Sequence, residues 1–174
     1  MIEGDVLRWK THRAIGVFTY STVITSLYQA QSKLFGFILL ALAVIPFYSS
    51  ILPDKLDSTF DLEHRGFTHS FLCSLVATAI FFLPVVLLHF YLKSLGIYFP
   101  ILIPLIGFYC GYLFHLIADS FTDNGIHFLW PINKDQKRQP LYRLWYYSDG
   151  YRYEFWITIF TYILTFLIWK KFMF

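Results

Sequence analysis

Residues 107–131, GFYCGYLFHLIADSFTDNGIHFLWP, place an imidazole and a carboxylate at the end of a long apolar run. His115 and Asp119 are four residues apart, so a helix brings both side chains to one face, one turn apart. Unpaired polar groups of this kind are costly at the end of a membrane helix. The segment therefore predicts a membrane helix whose end carries part of a polar or metal site.

The composition is typical of an integral membrane protein. Mean hydropathy is +0.54, and 14% of the residues are charged, whereas a soluble domain carries about a quarter. Aromatic residues, which suit the bilayer and its interfaces, make up 22% of the chain. Residues 1–174 are predicted to form a single domain in contact with membrane lipids. The formal net charge of +3 gives no argument for a nucleic-acid partner.

The expected fold is an all-α polytopic membrane bundle with about four or five transmembrane helices. Four segments have spanning length and almost no charge: Leu34–Leu52, Ser70–Leu92, Tyr98–Ala118 and Glu154–Trp169. A fifth, Arg13–Ser32, is only half apolar. It is either an interfacial helix or a polar-faced helix packed inside the bundle, and the distribution of charge favours the second.

Charge is segregated along the chain. If Arg13–Ser32 crosses the membrane, all eleven acidic residues fall on one face, together with ten of the fourteen lysines and arginines. The basic residues mark that face as cytoplasmic. The other four, Lys33, Lys93, Lys170 and Lys171, lie on the opposite side. An inner-membrane protein with a site on the cytoplasmic face is expected.

Residues that suit a divalent metal occur at four predicted helix ends on this face. They are His12, Asp54, His69, His115 and Asp119. Mixed imidazole and carboxylate ligands suit Zn²⁺, and also Mn²⁺ or Fe²⁺. A set of this size is compatible with two or three ions, and paired ions activate both oxygens of a displacement reaction.

Each residue also has a simpler interpretation. A single histidine is more often a structural hydrogen-bonding group, and Asp54 can merely shape a turn after Pro53. Thr68 or Ser70 can cap the helix that follows. His64 can lie around a metal or contact an anion, and the neighbouring Arg65 matches phosphate oxygens. The joint occurrence of all four clusters favours the metal site.

The motifs Leu52-Pro53-Asp54, HRGFTHS (64–70) and HLIADSFTDNGIHFLWP (115–131), preceded by His12, resemble the YdjM-like family. This is a family of LexA-regulated, membrane-bound, predicted metal-dependent hydrolases, with a distant similarity in fold to zinc-dependent phospholipase C. The resemblance implies five metal ligands: His12, Asp54, His69, His115 and Asp119. His127 and Glu154 are the counterparts of a further histidine and acid in the soluble relatives. The family often has a second aspartate two residues after the first, whereas Asp57 follows Asp54 by three, which leaves its role open.

The function expected from these observations is a membrane-bound metal-dependent hydrolase acting on a phosphoester, with a lipid as a reasonable substrate. The expected catalytic residues are Asp54, His69, Asp119 and Arg65. Asp54 or Asp119 would bridge metal ions, and Arg65 would hold the phosphate. The alternative is a non-catalytic membrane protein with a structural metal or a polar network at the helix ends. A transporter is disfavoured because the ionisable residues lie at helix ends rather than at mid-span.

Overall fold

The computed structural model describes residues 4–27, 33–63, 65–121, 125–132 and 150–173, and these form a helical bundle. The helices are α1 (Gly4–Leu27), α2 (Lys33–Ala41), α3 (Val44–Ser49), α4 (Leu52–Phe60), α5 (Phe71–Ser94), α6 (Leu102–Ser120) and α7 (Gly150–Met173), and a 3-10 turn, Phe67–His69, precedes α5. Within these residues, three helices are long and apolar enough to cross a membrane, or four if the bent pair Phe35–Ser49 and Leu52–Phe60 is one span. The predicted all-α membrane bundle is confirmed.

The predicted continuous helix Leu34–Leu52 is wrong, because the chain breaks there twice. Helices α2 and α3 are separated at residues 42–43, and a bend of 41° separates Phe35–Ser49 from α4. Pro46 lacks the N–H that a continuous helix would bond to residue 42. Pro53 lies in the first turn of α4, where its missing N–H costs nothing. Asp54 therefore lies in the first turn of a new helix instead of after the end of an old one.

Helix α1 packs inside the bundle beside α7 and runs in the same direction. The hydroxyl oxygens of Thr11 and Thr158 lie 3.0 Å apart, and further along both helices Trp169 Nε1 donates to Ser21 Oγ at 2.8 Å. Tyr20 is fully buried on the same helix. These contacts agree with a polar-faced helix inside the bundle, although α1 is not among the described helices that are apolar enough to be candidate spans.

The end of α6 is held close to α3. A Cβ atom on Gly111 would lie 2.1 Å from Ser49 Oγ and 2.7 Å from the carbonyl oxygen of Pro46. Only glycine permits this approach, since real Cβ atoms require more than 3.0 Å. One turn further along α6, His115 consequently meets the end of α3.

The 3-10 turn is fixed from both sides. Ser70 caps α5 by accepting a hydrogen bond from Cys73 N at 3.1 Å, as the sequence predicts. The hydroxyl group of Tyr112 on α6 donates to the carbonyl oxygen of Thr68 at 2.7 Å. His69 is therefore held between α5 and α6.

Candidate metal centre

Four side chains from three parts of the fold converge at one end of the bundle. They are Asp54 of α4, His69 of the 3-10 turn, and His115 and Asp119 of α6, and one ligand atom from each lies within 4.8 Å of all the others. His69 Nε2 is 3.2 Å from Asp54 Oδ1 and 3.3 Å from Asp119 Oδ2. His115 Nε2 is 3.6 Å and 3.5 Å from the same two oxygens. The sequence prediction that these residues lie together is confirmed.

The orientation of the His115 ring is set by a backbone carbonyl group. Its Nδ1 lies 2.7 Å from the carbonyl oxygen of Ser50, at the end of α3. A carbonyl can only accept, so Nδ1 carries the hydrogen. A neutral His115 therefore presents the lone pair of Nε2 to the two carboxylates, as a metal-bound histidine requires.

The orientation of His69 is set by Asp57. His69 Nδ1 lies 3.3 Å from Asp57 Oδ2, which also accepts a hydrogen bond from the backbone N–H of Arg65 at 3.1 Å. The Thr68 hydroxyl donates to the other oxygen, Oδ1. The carboxylate thus holds the hydrogen of His69 on Nδ1 and leaves the lone pair on Nε2. Carboxylate–histidine pairs of this kind orient ligands in metal sites.

The role of Asp57, which sequence reasoning left open, is therefore to orient His69. The sequence does contain a signal for this role, because Asp54 and Asp57 are three residues apart, a spacing that puts both on one helix face.

The two histidines require a cation between them. Their Nε2 atoms lie 3.0 Å apart, with both hydrogens assigned to Nδ1. Two lone pairs at this distance repel each other unless a proton or a metal ion lies between them. Burial opposes the charged form of His69, but hydrogen bonds to Asp119, Asp54 and Asp57 outweigh it and raise the pKa of His69 well above its usual value. The donor set of two imidazoles and two carboxylates fits a divalent metal ion.

The second oxygen of Asp119 faces two further polar side chains. Oδ1 lies 3.3 Å from His12 Nε2 and 3.7 Å from Arg65 Nη2. The His12 and His115 rings lie against each other, with centroids 4.1 Å apart. Arg65 is only 2% exposed and has a φ of 65°, in the left-handed region. His12, which the sequence predicts as a fifth metal ligand, and Arg65 therefore lie beside the four-residue group, on the outer side of Asp119.

The less certain candidates lie apart from this group or outside the described residues. His127 is buried in the segment that follows α6, and Glu154 is half-buried near the start of α7. Neither belongs to the compact set of ligand atoms found among the described residues. His64 falls outside the described residues, as do residues 133–149 between α6 and α7.

The site is nearly enclosed. The side chains of His69 and His115 are 0% exposed and that of Asp119 is 3% exposed, whereas the side chain of Asp54 is 12% exposed. Among the four, Asp54 gives the site its contact with the surroundings.

The family model described as "YdjM inner membrane protein" matches residues 7–173 of this chain. The chain belongs to the YdjM inner membrane protein family. The match covers nearly the whole chain and includes every residue of the site. The family description agrees with the apolar helices of the bundle. No curated protein and no solved structure matches the chain, so the distant relation to zinc-dependent phospholipase C stays an expectation from the sequence.

Proposed function

We propose that this protein is a membrane-bound metal-dependent hydrolase that acts on a phosphoester, with a lipid as the preferred substrate class. The observation that carries the proposal is the arrangement of His69 and His115. Their Nε2 lone pairs face each other and two carboxylates, in a pocket with no thiolate among its donors. His69, His115, Asp54 and Asp119 would hold the ion. When bound, a divalent ion supplies Lewis-acid activation of a phosphoryl oxygen and of a water molecule.

The other roles fall to residues at the edge of the site. Asp54 is the one of the four ligands that reaches the surroundings, so it is positioned to meet substrate. His12 Nδ1 is buried and has no hydrogen-bond partner in the described part of the chain, which makes this ring a candidate for proton transfer. Asp119 is buried between His12 and His69, 3.3 Å from the Nε2 atom of each, and fixes the position of these two rings relative to each other.

We further propose that the site faces the cytoplasm. The support is the sequence: ten of the fourteen lysines and arginines lie in segments predicted to share the face of the site. Because the site lies at a helix end, a substrate within the headgroup layer would reach it without leaving the membrane.

The first test is the metal content of the purified full-length protein, measured by elemental analysis. We expect stoichiometric divalent metal in the wild type and its loss in His69→Ala and in Asp119→Ala. His89→Ala is the matched control, because His89 Nδ1 donates to the carbonyl oxygen of Phe99, in the α5–α6 connection. Metal-free wild-type protein, or ligand variants that keep their metal, would refute the site.

A structural metal is the second candidate, and the low exposure of the ligands favours it, since closed four-ligand sites are typically structural. Assays on a generic phosphodiester and on phospholipid vesicles separate the two. Hydrolysis by the metal-loaded wild type that is absent from Asp54→Asn supports the enzyme. Loss of thermal stability on chelation, without turnover of either substrate by the loaded protein, supports the structural role.

A further inference from the structure

Among the described residues, the ion pairs of the site include one permanent cation, the guanidinium group of Arg65. Arg65 Nη2 lies 3.7 Å from Asp119 Oδ1, the oxygen that faces away from His69 and His115. Both side chains are almost fully buried. Asp119 thus turns one oxygen toward the proposed ion and the other toward a guanidinium.

We infer that Arg65 occupies the place of a second metal ion, so that the site holds a single divalent ion. This inference rests on the proposed metal site and narrows its stoichiometry. It also replaces the phosphate-binding role that the sequence suggests for Arg65, because a side chain that is 2% exposed is poorly placed to meet an arriving phosphate.

The charges of the cluster support a single ion. The contacts join three carboxylates, Asp54, Asp57 and Asp119, and one guanidinium. Histidines bind metals in their neutral form. Among the described residues, the cluster therefore carries two negative charges, which one divalent ion neutralises. With these groups, a second divalent ion would bring the net charge to two positive charges in a buried site, where unpaired charge is strongly disfavoured.

The positions of the oxygen and nitrogen atoms around Asp119 also support a single metal ion. A second ion that used Asp119 as a bridge would have to lie at Oδ1, between the carboxylate and His12 Nε2, which is 3.3 Å away. The guanidinium group of Arg65 already lies beside that oxygen. A permanent cation there repels a second metal ion.

The backbone of Arg65 contacts another residue of the site. Its N–H donates to Asp57, the residue that orients His69. The φ of Arg65 is 65°, in the left-handed region. Glycine adopts this conformation readily. Arg65→Gly therefore removes the cation and retains the backbone hydrogen bond.

The test counts metal ions per chain by elemental analysis and native mass spectrometry after equilibration with Zn²⁺ or Mn²⁺. We expect one ion per wild-type chain and two in Arg65→Gly. Arg65→Lys, which keeps the charge, and Lys55→Gln, which removes an exposed positive charge from α4, should each retain one. These counts do not depend on turnover.

The outcomes separate this inference from the proposed function. Two or more ions in the wild type would overturn the inference and leave the metal-dependent site standing. A metal-free wild type would overturn both. An Arg65→Gly variant that still binds one ion would show that the guanidinium does not exclude a second. If this variant does not fold, the wild-type count decides alone.

Discussion

At the scale of single residues, the candidate site depends on where the histidine hydrogens lie. Ser50 holds one hydrogen on His115 Nδ1 through its carbonyl group, and Asp57 holds the other on His69 Nδ1. Each Nε2 atom then presents a lone pair that can bind a cation. The residues that impose this arrangement are not themselves candidate ligands in the compact group.

Asp57→Asn tests the orienting role of this carboxylate. The amide keeps the shape but loses the negative charge that fixes and polarises His69, so we expect metal affinity to fall by roughly 10- to 100-fold, the usual cost of losing such a partner. Competition with a chelator of known affinity measures the change.

Asp61→Asn is the control for that variant. Asp61 is exposed at the C-terminal end of the same helix and has a φ of 49°, a conformation that asparagine tolerates. Its metal affinity should match the wild type. An Asp57→Asn variant that also binds metal like the wild type would contradict the orienting role.

Residue types at helix ends were enough to predict which four side chains converge, but not the groups that orient them. His115 and Asp119 follow from helical spacing, and Asp54 and His69 from polar residues at the ends of apolar runs. The contribution of Ser50 could not be predicted, because it comes from a backbone carbonyl group that no side-chain pattern reveals. For Asp57 the informative spacing is the helical one, three residues after Asp54, which puts both carboxylates on one face of α4.

At the scale of elements, the geometry of the site depends on the break between α3 and α4. A helix that ran unbroken from α3 into α4 would pair the Ser50 carbonyl group with the N–H of residue 54 and leave it unavailable to His115. The chain instead turns at Ser50–Ile51, which frees the Ser50 carbonyl for His115. Hydropathy predicted the apolar segment and missed the break, since both halves are apolar and the bend depends on Pro46, Pro53 and contacts with α6.

Gly111→Ala tests the approach of α6 to α3. The new Cβ atom would overlap Ser49 Oγ and the backbone of Pro46, so the helices must separate. We expect a loss of about 1–3 kcal/mol in the free energy of unfolding, typical of overpacking, together with weaker metal binding, because His115 moves away from Ser50. Thermal unfolding in detergent and metal titration measure both effects.

Gly107→Ala is the matched substitution one turn earlier on α6. Its Cβ atom would lie 3.3 Å from Pro46 Cδ and from Tyr20 ring atoms, a contact that small shifts accommodate. The intrinsic helix preference of alanine over glycine, about 1 kcal/mol, offsets part of this cost. Equal losses in the two variants would show that the contact at Gly111 is not what positions His115.

At the scale of the whole molecule, the direction of the helices determines where the site lies. Helices α1 and α7 run in parallel from the end that holds His12. Gly36, in α2, packs against Met173 at the far end of α7, so the chain returns toward the site through α3 and α4. The sequence predicts that all acidic residues lie on one side of the membrane only if α1 runs the length of the bundle. The contacts of α1 with α7 agree with that condition.

The orientation of this bundle in the membrane can be tested with single cysteines in a Cys73→Ala/Cys110→Ala background. Phe60, at the end of α4 near the site, is 66% exposed, and Tyr98, in the α5–α6 connection at the opposite end, is 85% exposed. If basic residues hold the site end in the cytoplasm, a membrane-impermeant maleimide should label Tyr98→Cys in intact spheroplasts and should label Phe60→Cys only after lysis. Labelling in the reverse order would place the site on the outer side of the inner membrane. The metal site would then still stand, but any substrate would have to be reached from that side.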